Sequence, residues 1–152
     1  MTGLQDDIAL LSSVPLFAGM NEDQLRLVAF GAERRRLSPG QALFREHAPA
    51  ECAYIVAGGQ VDLTVTGRDG KPELKETVGP RTLLSELALV TLVERKYTAT
   101  ARAEAEVLRI TRSLFLRLME EYPGVAAMVQ ERLRRNLAAM VDGIEALDAH
   151  FR

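Results

Sequence analysis

The chain has 152 residues, 47% apolar and 26% charged, with a net charge of −2 at neutral pH. That composition suits one globular domain with a sizeable core and excludes a disordered chain. The slight acidic excess argues against direct nucleic-acid binding, and the single cysteine, Cys52, excludes an intramolecular disulfide and fits the reducing cytoplasm.

The N-terminus carries Asp6 and Asp7 where a secretory signal carries bases, and its apolar run is short. No stretch approaches the ~18 apolar residues of a membrane span. Val14-Pro15-Leu16-Phe17, closed by Gly19, reads as a turn and packing anchor. Asn21 with Gln24 three residues on has the form of a capping box, and Leu25, Val28 and Ala29 then share one helical face. Gly31 is placed to stop that helix through a left-handed cap. The run Arg34-Arg35-Arg36 after it reads as a solvated charged face.

From Leu37 to about Ile110 the period becomes two. Ala53 to Val56 is predicted as a buried strand, and the Gly58-Gly59 turn leads into Gln60 to Thr66, which alternates polar and apolar. Asp69-Gly70 predicts a hairpin turn, with Leu74 to Val78 as the returning strand. Thr98 to Ala101 and Val107 to Ile110 complete a set of short strands that implies a barrel or sandwich.

After Thr111 the pattern is helical, broken at Pro123-Gly124. Leu133, Leu137, Met140, Ile144, Leu147 and Phe151 then follow at alternating spacings of four and three. That is a heptad seam of about three repeats, and the expected dimer interface. Packing of the stripe on its own barrel is the alternative.

Taken in order, Pro15 to Met20, Pro39 to Phe44, Tyr54-Ile55-Val56, Gly59-Gln60-Val61 and Leu84-Ser85-Glu86-Leu87-Ala88-Leu89 resemble the cyclic-nucleotide-binding domains of catabolite-activator-type regulators, kinase regulatory subunits and gated channels. The resemblance covers roughly residues 14 to 145. It implies a mainly β fold with flanking helices: an antiparallel double-stranded β-helix (a jelly-roll-like β-roll), N-terminal helices and a long C-terminal helix. The chain then forms a single domain over 1–152. Residues 14–112 hold a helix and the β-roll, and residues 113–152 the lid and dimerisation helices.

In the resemblance, Leu84 to Leu89 fall on the phosphate-binding cassette. A buried cyclic phosphate monoanion needs backbone N–H donors and a guanidinium, and the ribose 2′-hydroxyl needs a carboxylate acceptor. Glu86 takes the carboxylate position, and Leu87 and Ala88 supply backbone N–H groups. Thr98 offers a hydroxyl at the start of the strand that leaves the cassette. The implied ligand set is Leu84, Ser85, Glu86, Leu87, Ala88, Arg95, Lys96, Tyr97, Thr98 and Ala99.

Four positions depart from the family pattern. Tyr97 falls on the phosphate arginine, with Arg95 and Lys96 beside it as substitute cations. Ser85, Arg81 and His47 stand where the family has glycine, the residue of positive φ or close backbone approach. Arg81 is a further cation near the cassette.

Arg102 is expected at the surface, Cys52 as a small buried hydrophobe, and Glu120-Glu121 on a helix surface. One cysteine cannot hold an iron–sulfur cluster, and His47 and His150 lack the neighbours of a metal or haem site. No nucleophile–base constellation or Walker-type phosphate loop is present, so catalysis is not expected. The function expected is cytoplasmic sensing of cAMP or cGMP, without a cofactor, by a homodimer that signals through its C-terminal helix. Its partners would include a separate effector protein, and neither nucleic acid nor membrane. A dimerisation or docking scaffold that keeps the fold without the nucleotide is the rival reading. The DNA-binding members carry a helix-turn-helix after the long helix, and this sequence ends at Arg152.

Overall fold

A computed structural model describes residues 3–141 and 152, with side-chain environments given through residue 138. Helix α1 (Leu4–Ser12) packs on α2 (Glu22–Gly31). Both capping-box bonds of α2 form: the Gln24 amide donates to Asn21 Oδ1 at 2.9 Å, and the Asn21 amide donates to Gln24 Oε1 at 3.0 Å. Leu25, Val28 and Ala29 are the buried face of α2. Between the two helices Val14, Leu16 and Phe17 are buried, and Phe17 meets Phe115 edge-to-face at 6.1 Å.

Among the described residues ten strands follow: β1 (Glu33–Leu37), β2 (Ala42–Phe44), β3 (Pro49–Ala50), β4 (Cys52–Gly58), β5 (Val61–Thr66), β6 (Pro72–Val78), β7 (Leu83–Leu84), β8 (Val93–Glu94), β9 (Thr98–Ala101) and β10 (Ala105–Thr111). They form two antiparallel four-stranded sheets, β1-β10-β4-β7 and β2-β9-β5-β6, with β3 paired to β8 beside them. This is the β-roll, with α3 (Arg112–Glu121) and α4 (Pro123–Val141) closing the chain.

Period-two geometry divides the interior into two cores. Cys52, Tyr54 and Val56 of β4 face Val61, Leu63, Phe44 and Ala99 inside the roll. Ala53 and Ile55 point the other way and join Leu108, Ile110 and the helices. With both faces covered, β4 reads as an unbroken apolar run. The β4–β5 turn needs Gly59: its φ is +78°, and a Cβ there would lie 2.5 Å from the Glu104 carbonyl oxygen.

One reading of the sequence, at Gly31, is corrected, and two elements are added to it, a first helix and a first strand. Leu4–Ser12 is a helix, capped where the Gly3 amide donates to Asp6 Oδ2 at 3.1 Å. Gly31 is the last helical residue of α2 and makes no left-handed cap, since Ala32 follows in extended conformation. What Gly31 provides is room, because a Cβ would meet Leu114 Cδ1 at 2.5 Å. The run Arg34-Arg35-Arg36 lies in β1, an edge strand against β10, where Arg34 bonds Asp7 and Glu106. An edge strand tolerates outward charge, and its apolar partners lie on β10.

Candidate functional site

Strand β7 sets the cassette by pairing Leu84 with Tyr54 and Leu83 with Ile55. The chain then turns through Ser85 at φ 65°, ψ 46° into a 3₁₀ turn, Glu86–Leu89. The Ala88 amide donates to the Ser85 carbonyl at 3.0 Å, so the turn uses that N–H internally. Ser85 is one of three described non-glycine residues with positive φ; the others are His47 at 70° and Arg81 at 72°. At all three the resemblance implies glycine, and a residue with a Cβ is strained in that left-handed conformation.

Glu86 is 8% exposed. Its carboxylate is met fork-on-fork by Arg132 of α4, with Nε donating to Oε2 and Nη2 to Oε1, each at 2.9 Å. Planar bidentate pairing of this kind is among the stronger charge-assisted contacts. Below it, Leu16, Leu89, Phe115, Val129 and Leu133 line a narrow apolar cleft between cassette and helix. Arg112, at the start of α3, fastens the same turn by donating to the carbonyls of Ala88 at 2.8 Å and Ala50 at 2.6 Å. Neither Arg112 nor Arg132 is singled out by the sequence, since Arg112 opens a helix without a motif around it and Arg132 sits in a charged run with Glu131, Arg134 and Arg135.

Arg95 points into the roll and is 5% exposed. Its guanidinium carbon lies 4.5 Å from the Phe44 ring centre and 5.4 Å from that of Tyr54. Nη1 donates to the Cys52 carbonyl at 2.8 Å, and Nη2 approaches Cys52 Sγ at 3.2 Å. Cys52 is therefore buried, as expected, but it is a hydrogen-bonding partner as well as a hydrophobe. Burial pushes the Tyr54 phenol up, aided by the neighbouring Cys52 and opposed by the Arg95 and Arg35 charges.

Lys96 is exposed, with Nζ 5.5 Å over the half-buried Tyr97 ring. The Thr98 hydroxyl accepts from the Glu46 amide at 2.9 Å, and Ala99 is wholly buried opposite Phe44 and Leu63. Arg102 is exposed and donates to Asp62 Oδ1 at 2.9 Å. Along the α4 seam Leu133 packs on the helical core and Leu137 is 58% exposed. The side chain of Met140, and Ile144, Leu147 and Phe151, lie outside the described residues. Among the described residues no His, Cys, Asp and Glu group could hold a metal, and no helix is long and apolar enough to cross a membrane.

Residues 34–122 match the family model of the cyclic nucleotide-binding domain, and the chain belongs to that family. A solved cyclic nucleotide-binding-like protein from Brucella abortus is 45% identical, with a TM-score of 0.70 over 76% of this chain and 98% of its own. The N-terminal domain of a transcriptional regulator from Streptomyces coelicolor is 29% identical, with a TM-score of 0.82 over 88% of this chain and 94% of its own. The cyclic AMP receptor protein of Thermus thermophilus is 30% identical over 124 residues, 79% of this chain and 57% of that protein. Fungal lysophospholipases match too, but the chain spans only about 8% of the Neurospora crassa protein. The fold is that of a regulatory ligand-binding domain, with neighbours matched through that domain.

Proposed function

We propose that this chain is a sensing module that binds a cyclic nucleotide, cAMP or cGMP, at the cassette and reports through α4. The observation that carries the reading is the Glu86–Arg132 fork. The carboxylate suited to a ribose 2′-hydroxyl is the group that holds the C-terminal helix. A ribose that takes Glu86 competes with Arg132, so the ligand has different affinities for the docked and released helix. That difference is what coupling requires.

In this reading Leu84 to Ala88 and Arg95 to Ala99 border the ligand, and α4 pairs with a second copy through its outward seam, beginning at the exposed Leu137. The module acts in the cytoplasm, hands its signal to a separate effector, and uses no catalysis. Tyr97, in place of an arginine, favours the rival, a docking scaffold that no longer takes the nucleotide. Calorimetric titration with cAMP and cGMP decides between them. Micromolar binding by the folded protein, lost in Glu86→Ala, is expected; the absence of heat with either nucleotide would leave the scaffold as the function.

A further inference from the structure

Large apolar side chains stand out on both flanks of α3. On one flank Phe30, near the end of α2, is 81% exposed beside the half-buried Leu27, Leu114 and Tyr122. These four line a groove of about 430 Å³, with Arg26 of α2 on one wall and Arg117 of α3 on the other; Asp23 is the acid on its rim. Each arginine is paired with an exposed acid one turn away on its own helix, Arg26 with Glu22 at 2.9 Å and Arg117 with Glu121 at 3.3 Å. Exposed pairs of this kind contribute little, so both guanidiniums can turn to a partner at small cost.

On the other flank Leu92, just past the cassette turn, is 84% exposed, the most exposed large apolar residue among those described. It shares a hollow with Pro49, Val93 and the exposed acids Glu51 and Glu94. Glu51 and Arg112 also line the next hollow, which reaches Leu116 of α3, itself 41% exposed. Leu114 and Leu116 are two residues apart on one helix and so lie on opposite sides of it. Helix α3 is therefore a ridge between a groove rimmed by arginines and an apolar knob flanked by acids.

A single exposed leucine is ordinary, but a knob and a groove of opposite charge complement each other in shape and sign. They cannot meet within one chain, because α3 stands between them. A two-fold axis across α3 brings them together twice, in a closed and self-complementary contact. We infer that this face takes a second copy of the chain. Leu92 of each copy enters the groove beside Phe30 of the other, Glu51 and Glu94 face Arg26 and Arg117, and the two α3 helices cross at the axis. The contact is separate from the α4 seam and needs no nucleotide. Resting on one knob and one groove a side, it is weak, forming on the order of 100 μM protein and above.

Sedimentation at rising concentration tests this, with Leu137→Glu in every chain to disable the seam. That protein should be monomeric when dilute and associate towards about 1 mM. Phe30→Ser and Leu92→Ser should each weaken the association about tenfold or more, and both side chains are too exposed for the fold to depend on them. Mixing the two variants gives the sharpest readout. A Phe30→Ser chain keeps its knob and a Leu92→Ser chain keeps its groove, so the mixed pair alone retains one of the two contacts. Native mass spectrometry should find mixed dimers in excess over either parent. Arg117→Glu should also weaken association, and Glu94→Arg added to the same chain should restore it. A monomer at every concentration overturns the second copy as occupant and leaves the groove to another protein. Association that is indifferent to Phe30→Ser and Leu92→Ser, or mixed dimers no more frequent than chance, overturns the assignment of this face.

Discussion

Ser85, His47 and Arg81 all carry a Cβ in the left-handed region, a conformation that costs about 1–2 kcal/mol for a non-glycine residue. Replacing each by glycine should raise stability, by about 1 kcal/mol at His47 and Arg81 and by more at Ser85, where an orphan buried hydroxyl is also removed. Chemical denaturation of the three variants measures this; equal gains at all three would mean that the Ser85 hydroxyl is satisfied. Asp62 gives a pH prediction at the same scale. Burial pushes its carboxyl up, but the Thr77 hydroxyl and the Arg102 guanidinium outweigh that and hold it below the ordinary carboxylate value. A depressed folded value means stability that is present above the unfolded value and lost as pH falls through the folded one. Asp62→Asn should therefore cost about 1 kcal/mol at pH 7, and the difference from wild type should shrink as pH falls through the folded value. A gap that persists in acid would assign the effect to packing.

Between elements, the fork from Arg132 of α4 to Glu86 of the cassette turn carries the account. Removing one partner of a buried pair leaves the other charge unbalanced, at a cost of about 3–5 kcal/mol. Arg132→Ala should show that loss in denaturant unfolding, and Glu86→Gln with Arg132→Met should recover most of it; a double variant as unstable as the single one would mean that the pair does not hold the helix. The elements themselves were unevenly legible. The capping box at Asn21, the alternation from Val61 to Val65 and the unbroken run of β4 could be read because side-chain period tracks burial directly. The helix at Leu4–Ser12 escaped because its face toward α2 is short, and β1 because an edge strand with outward arginines has no alternation to read. Motif order placed Glu86, but nothing in the sequence pairs it with Arg132, because their meeting depends on how α4 crosses the roll. The inward course of Arg95 was equally hidden, since a charged residue in a loop carries no sign of direction.

Across the whole molecule, the two cores share β4 and β10, and the cassette lies where the roll meets the helices. A change at Glu86 therefore reaches α4 without crossing the sheets. If α4 pairs with a second copy, sedimentation should find a dimer, and Leu137→Glu should shift it toward monomer at unchanged helical content; a monomer in the wild type would return the seam to its own barrel. The most direct test of the central claim compares the affinity of wild type and Arg132→Ala for cAMP and cGMP. If ligand and Arg132 compete for Glu86, removing the arginine lifts the penalty of releasing the helix, and affinity should rise about tenfold even as stability falls. Unchanged or weaker binding in the variant would contradict the competition, and with it the proposed route from ligand to helix.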